Sequence, residues 1–149
     1  MIRSKRIQPV SRIAGRAEQR AAMLLAKNRG QLHELQNRLN VMKAYRRDYE
    51  RKRGETGAFS VMHLKQNQNF LQQLDEAITI LEKQVDRQTD ITRQEQQKWI
   101  ETWKNMNSLN KCIENLQGHE LRETERREQD LLDEQSAHST LAGSLSRTR

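Results

Sequence analysis

The sequence is poor in the residues from which a compact globular core is built. Only 34% of its 149 residues are hydrophobic and 4% are aromatic, whereas 32% are charged; ordinary globular domains are roughly 45–50% apolar. One proline and six glycines leave few points at which a helix must stop. A chain of this composition, rich in Gln, Arg, Glu, Leu and Lys, is therefore expected to form long helices and not a compact domain.

Cysteine and long apolar runs are also scarce. Cys112 is the only cysteine, which excludes an internal disulfide and fits a reducing compartment. No apolar run approaches the roughly 20 residues that a membrane span requires. The first residues, MIRSKRIQPV, are basic but contain no apolar signal-peptide region. We expect a cytoplasmic protein.

The sequence contains no recognisable catalytic or metal-binding motif. Its four histidines are scattered and form no HExxH or Cys/His cluster: His33, His63, His119 and His138. Neither GxxxxGK[ST] nor GxGxxG occurs. A hairpin of two long helices, which the heptad register described below predicts, has no enclosed pocket in which a pKa is shifted or water is excluded. We therefore expect no enzymatic activity, no catalytic residue, no cofactor and no metal ion.

A heptad register runs through both halves of the chain. In the first half, spacings of four and three connect Ala21, Leu25, Asn28, Leu32, Leu35, Leu39, Met42, Arg46 and Tyr49. In the second half, two seven-residue series consist of Leu64, Leu71, Ile78, Val85, Thr92, Trp99, Met106 and Ile113, and of Leu74, Leu81, Gln88, Glu95, Thr102, Leu109 and Leu116. Between them, the glycines of RGETGAFS allow a reversal. The pattern predicts an all-α fold, an elongated antiparallel two-helix coiled-coil hairpin.

The expected hairpin forms a single domain over residues 1–149. Pro9 is placed in the first turn of helix one, where its missing N–H is tolerated. The predicted elements are helix one at about 10–53, a turn at 54–58, helix two at about 60–135 and a disordered tail at 136–149. Reversal at the glycines pairs residues whose numbers add up to about 112, and reversal near residue 60 gives about 119. We adopt the register of 119.

Two stripes with the same spacing meet near the predicted tip of the hairpin. Each stripe follows i, i+4, i+7 and i+11, and together they comprise Arg38, Met42, Tyr45 and Tyr49 of helix one and Phe70, Leu74, Ala77 and Leu81 of helix two. Tyr45 and Phe70 flank the seam instead of filling it. We call these eight residues the tip patch and predict that it binds a protein, with ordinary helix packing as the alternative.

Charge is unevenly distributed. Five basic residues mark the start of the chain, namely Arg3, Lys5, Arg6, Arg12 and Arg16, whereas residues 119–135 hold seven acids against three arginines. This asymmetry suggests charged contacts with more than one partner, although solvated helix faces give the same statistics. A nucleic-acid-binding coiled coil is a further alternative, because a basic run surrounds Arg46. That run ends at a glycine turn, unlike the continuous basic helix of zipper proteins, so we expect no nucleic acid partner.

Three segments resemble the flagellar export protein family FliJ: AAMLLAKNRGQLHELQNRLNVMKAYRRDY, NFLQQLDEAITILEKQ and KWIETWKN. Their order and spacing match over most of residues 14–117. The resemblance implies a coiled-coil component of the type III export apparatus, acting in flagellum biogenesis and hence in motility and chemotaxis. The equivalent stalk protein of a virulence-type secretion system is the alternative.

The resemblance also implies partners and a location. A stalk-like coupling factor of this kind promotes the activity of the export ATPase FliI, contacts the export gate protein FlhA and escorts export chaperones. The tip patch would face the gate, and the basic start, with the late part of helix two, would face the ATPase ring. The protein would be cytoplasmic and peripheral at the cytoplasmic face of the inner membrane.

Overall fold

Two long α-helices make up the part of the chain that the structure describes. The structure is a computed structural model, and it describes residues 3–55 and 61–147. Helix α1 comprises Arg3–Glu55 and helix α2 comprises Val61–Arg147. The two helices pack against each other as an antiparallel hairpin, which confirms the predicted all-α fold.

The turn predicted at residues 54–58 lies mostly outside the described residues. Gly54 still belongs to α1, and residues 56–60 are not among those described. Helix α2 begins at Val61, next to the predicted start at about residue 60.

Contacts divide the chain into two compact units. The central unit comprises Glu18–Thr102, and the terminal unit comprises Met1–Ala17 together with Trp103–Arg149. Each unit contains a segment of both helices, so each has its own interhelical seam.

In the central unit, the interhelical contacts follow the predicted antiparallel register. Trp99 Nε1 donates a hydrogen bond to Glu18 Oε1 at 2.9 Å, and the ring centroid of Tyr49 lies 4.7 Å from that of Phe70. The numbers of Tyr49 and Phe70 add up to 119, and those of Glu18 and Trp99 add up to 117. The register of about 119 is therefore the observed one, and the alternative of about 112 is not.

A layer of three polar residues, Asn28, Gln88 and Thr92, interrupts this seam. Gln88 Nε2 donates to Asn28 Oδ1 at 3.0 Å, and Thr92 Oγ1 donates to the backbone carbonyl of Gln88 at 2.7 Å. Thr92 is buried, as are the apolar side chains of Leu25 and Ile78 in the same unit. Because the polar groups have partners, the layer avoids the penalty of unpaired buried groups, but it forgoes the apolar burial that leucines would provide.

In the terminal unit, α1 begins earlier than the sequence predicted. It starts at Arg3 and not near residue 10, so Pro9 lies inside the helix. An internal proline lacks one backbone hydrogen bond and typically costs about 3 kcal/mol. Contacts with α2 oppose this cost: Glu120 accepts two hydrogen bonds from Ser4, and Ser11 Oγ donates to Asn110 Oδ1 at 2.7 Å.

Helix α2 also continues further than predicted. The segment expected to be a disordered tail is helical as far as Arg147. In the helix, serine and threonine hydroxyl groups donate to backbone carbonyls in the preceding turn, as Ser139 Oγ does to the Gln135 carbonyl at 2.7 Å. This segment also contains no proline and only Gly143 as a weak helix former. Its side chains from Leu121 to Ser146 are exposed.

We predict that the polar layer limits the stability of the central unit. Asn28→Leu should lower the free energy of unfolding by about 1 kcal/mol, because Gln88 Nε2 loses its 3.0 Å hydrogen bond to Asn28 Oδ1 and keeps only the 3.3 Å bond to the Asn28 backbone carbonyl. Adding Gln88→Leu should recover this loss or exceed it, since two leucines then pack in the seam. Urea unfolding measures both, with Gln31→Leu on the exposed face as the control. A double variant less stable than Asn28→Leu would contradict the interpretation.

Candidate protein-interaction surfaces

The tip patch lies entirely in the central unit, where the structure brings its aromatic residues together. The rings of Tyr45 and Phe70 meet edge to face, with centroids 6.3 Å apart and planes inclined at 76°. Tyr49 also contacts Phe70, in a tilted arrangement with an interplanar angle of 54°. Such geometries are favourable for aromatic pairs. The register therefore assembles one aromatic cluster from both helices.

The eight residues of the tip patch differ in exposure. Leu74 is buried, with 7% of its surface exposed, and belongs to the core. Tyr45 is 51% exposed. Arg38 is exposed and pairs with Glu34 at 3.0 Å. The half-buried members are Met42, Tyr49, Phe70, Ala77 and Leu81. Tyr45 is thus the aromatic side chain most available to a partner, and binding by the tip patch remains a prediction.

Polar contacts fix the aromatic cluster from both sides. The Tyr49 hydroxyl donates to Asn67 Oδ1 on α2. The Arg46 guanidinium binds the Asp75 carboxylate and also pairs with Glu50 at 3.0 Å. The hydrogen bond to Asp75 raises the pKa of Arg46 further above its ordinary value, so Arg46 stays charged. The sequence analysis missed this ion pair, although the numbers of Arg46 and Asp75 add up to 121 and their charges are opposite.

An open groove of about 560 Å³ continues the tip patch along the hairpin. Its lining residues are Glu34, Asn37, Arg38, Val41, Met42 and Leu81. Val41 is 66% exposed and precedes Tyr45 by one helical turn, so both share a face. Sequence reasoning missed Val41 because it lies outside the heptad seam and outside the spacing of the two stripes. An isolated valine on a polar face was the available signal.

The basic start of the chain lies on α1 in the terminal unit. Its five residues are exposed: Arg3, Lys5, Arg6, Arg12 and Arg16. Arg3 lines a groove of about 460 Å³ together with Leu116, His119, Glu120 and Glu123 of α2. The structure therefore brings part of the basic start beside the acidic segment of α2. Contact between this end and an ATPase remains a prediction.

Beyond Glu120, α2 exposes apolar side chains along a helix without a covering segment among the described residues. Leu121, Leu131 and Leu132 are each about 60% exposed. They lie among the acids of residues 119–135. An exposed amphipathic segment of this kind suits docking onto a partner.

Two long antiparallel helices packed along a heptad seam define the class of helical coiled-coil proteins. Among the described residues, no group of His, Cys, Asp and Glu is arranged to hold a metal ion. Within the same residues, neither helix contains a stretch that is long and apolar enough to cross a bilayer.

The comparison with protein families is specific. A family model described as flagellar FliJ protein matches residues 4–143, and the chain belongs to this family. The resemblance seen in the sequence is thereby confirmed. No curated protein and no solved structure matches the chain. The family consists of non-enzymatic coiled-coil proteins associated with the flagellar type III export apparatus.

We predict that the contact between Ser4 and Glu120 weakens in acid. Burial acts to raise the pKa of Glu120, but hydrogen bonds from the Ser4 hydroxyl, the Ser4 N–H and the Arg3 N–H together lower it below the ordinary 4.5. A lowered pKa in the folded state means that the stabilisation is complete above 4.5 and is lost as the pH falls through the lowered value. Amide protection in the first turn of α1 should fall over that range.

Hydrogen exchange at several pH values measures this effect. Glu120→Gln should reduce protection of the first turn at neutral pH and remove most of its pH dependence. Glu123→Gln is the matched control, because Glu123 lines the same groove. Equal protection in Glu120→Gln and the unsubstituted protein at neutral pH would show that the carboxylate does not hold the start of α1.

Proposed function

We propose that the protein is a stalk-like coupling factor of the flagellar type III export apparatus. In this role it promotes the activity of the export ATPase FliI, links it to the export gate protein FlhA and engages export chaperones. Family membership supports the export role, and the exposed aromatic side chain of Tyr45 beside the seam of the two helices is the observation that carries the gate contact. The family match favours the flagellar system over a virulence-type one.

The tip patch suits a protein partner because the residues that hold it in place differ from the residues that it exposes to a partner. Leu74 and the polar contacts of Tyr49 and Arg46 fix the cluster, whereas Tyr45 and the neighbouring groove face outward. A fixed aromatic side chain loses little conformational freedom on binding, which favours affinity. The gate protein would take Tyr45 and Val41 as apolar anchors, with Arg38 at the polar rim.

The terminal unit suits the ATPase because it combines a basic face with an uncovered helix. Arg12 and Lys5 are exposed on α1, and the segment of α2 beyond Glu120 exposes leucines among acids. A partner with both charges and a shallow apolar surface would bind such an end. The protein would then be cytoplasmic, and peripheral at the inner membrane through its contact with the gate.

We predict that Tyr45→Ala weakens binding to the cytoplasmic domain of the gate protein by about 30-fold or more, since a contact aromatic typically contributes about 2 kcal/mol or more. Helicity should not change, because half of the Tyr45 side chain is exposed. Phe70→Ala should weaken binding as well, but with some loss of stability, because Phe70 also packs on Tyr49. Titration calorimetry and circular dichroism on the same samples separate the two effects.

The matched control for this experiment is Ile80→Ala. Ile80 is 57% exposed on α2 and does not belong to the tip patch. It should leave gate binding unchanged. Unaltered binding by Tyr45→Ala would mean that the cluster serves only to pack the two helices. A joint loss of binding and helicity in Tyr45→Ala would place Tyr45 in the core.

We predict that removal of residues 121–149 reduces stimulation of the ATPase and leaves gate binding intact. The cut follows Glu120, so the contact with Ser4 is kept. Leu131→Ser combined with Leu132→Ser should reduce stimulation in the full chain, because both leucines are exposed and support no core. Phosphate release by the ATPase measures the effect. Full stimulation by the shortened chain would exclude this segment from the ATPase contact.

A further inference from the structure

A second surface, distinct from the tip patch, lies where α1 ends and α2 begins. Residues 43–65 contain seven Lys and Arg against three Asp and Glu. The last turn of α1 is basic and the first turn of α2 contains no acidic residue. This end of the central unit therefore carries excess positive charge.

Part of this charge is engaged inside the hairpin. Lys43 pairs with Glu82 at 3.5 Å, and Arg46 pairs with Asp75 and Glu50. Lys52 and Arg53 have polar interactions of their own. Three exposed basic residues form no ion pair with any residue that the structure describes: Arg47, Arg51 and Lys65. These three are the charges available to an external partner.

Helical spacing places these charges on the flank opposite the aromatic cluster. Arg47 follows Tyr45 by two residues, which is a rotation of about 200° around the helix. Arg51 follows Arg47 by four residues and shares its face. On α2, Val61 precedes Phe70 by nine residues, a rotation of about 180°. Tyr45 precedes the seam residue Arg46 and Phe70 precedes the seam residue Leu71, whereas Arg47 follows Arg46 and Lys65 follows the seam residue Leu64. Since Tyr45 and Phe70 contact each other on one side of the seam, Arg47 and Lys65 lie on its other side.

Apolar side chains accompany these charges. Val61 and Met62 are each 71% exposed, and Lys65 follows Val61 by one helical turn. Met62 lies about 100° around α2 from Val61, so it adds apolar surface at the edge of this region. Arg47, Arg51, Val61, Met62 and Lys65 together are called the basic tip face. Cationic groups beside uncovered apolar side chains are the combination that binds an anionic lipid surface, since the charges attract headgroups and the apolar groups enter the interface.

We propose that the basic tip face binds directly to bilayers that contain anionic lipids. This contact is additional to the proposed gate contact and does not depend on it, because the two surfaces share no residue. A nucleic acid would also attract the charges, but proteins that bind single strands stack bases on aromatic side chains. Both tyrosines of the central unit contact Phe70, whereas the described residues of the basic tip face offer only aliphatic apolar side chains.

Sedimentation of the full chain with vesicles tests the proposal. We expect binding to vesicles of phosphatidylglycerol and phosphatidylcholine, and little binding to vesicles of phosphatidylcholine alone. Each basic residue near an anionic surface contributes about a five-fold gain in affinity. Arg47→Ala with Arg51→Ala and Lys65→Ala should therefore weaken binding by about 100-fold. Added salt should weaken binding of the unsubstituted protein by screening.

The control variant removes the same charge elsewhere in the central unit. Lys83→Ala, Arg87→Ala and Arg93→Ala change three exposed basic residues that lie far from residues 43–65 in the sequence. This control should bind almost as the unsubstituted protein does. Val61→Ser with Met62→Ser should reduce the binding that persists at high salt, because it removes the apolar contribution and no charge.

Three results would overturn the proposal. Equal loss of binding in both triple variants would show that net charge alone acts. Equal binding to vesicles with and without phosphatidylglycerol would exclude recognition of anionic lipid. Tighter binding to an oligonucleotide than to vesicles, abolished by the same triple variant, would assign the face to nucleic acid. Measuring gate binding of each triple variant keeps the outcome separate from the function of the tip patch.

Discussion

The pairing of two helices along one narrow seam is the constraint on which the rest of the molecule depends. Neither helix encloses a core of its own, and the buried apolar side chains among the described residues are few: Ala14, Leu25, Leu74 and Ile78. An isolated helix is only marginally stable in water, and helices in proteins gain most of their stability from packing of an apolar face against a partner. Every other feature, including the aromatic cluster and the charged ends, therefore relies on α1 and α2 remaining in contact.

A seam of this kind leaves its flanks available for binding. Residues in the seam are occupied by the partner helix, whereas residues one or two positions away are fixed in space but only half covered. Tyr45 illustrates this position, since it contacts Phe70 at its edge and still exposes half of its surface. A substitution at Leu74 would disturb the seam and the surface together, whereas one at Tyr45 changes the surface alone. Whether a substitution disturbs the seam or only the surface depends on how exposed the residue is, and not on its distance from a binding site.

Much of the hairpin could be predicted because heptad repeats record long-range pairing in local sequence. The antiparallel arrangement and the match of the two seams follow from spacing, whereas spacing alone leaves the registers of 119 and 112 open. The helix ends could not be predicted in this way, because no repeat marks them. Glu120 binds the start of α1 across more than a hundred residues of sequence. Val41 was likewise missed, since exposure depends on what the partner helix leaves uncovered.

Two heptad seams can match in more than one register, and polar contacts select one of these registers. A slip of seven residues would preserve the apolar match of the two helices, so leucines alone do not distinguish the registers of 119 and 112. The polar layer does distinguish them, because the slip would move Asn28 from Gln88 and Thr92 to a position between Leu81 and Val85. Asn28 Nδ2 would keep its hydrogen bond to the Leu24 carbonyl, but Asn28 Oδ1 would lose the Gln88 donor among apolar side chains, which costs about 1 kcal/mol. The stability given up at the polar layer thus specifies which residues meet at the tip, and so which surface a partner finds there.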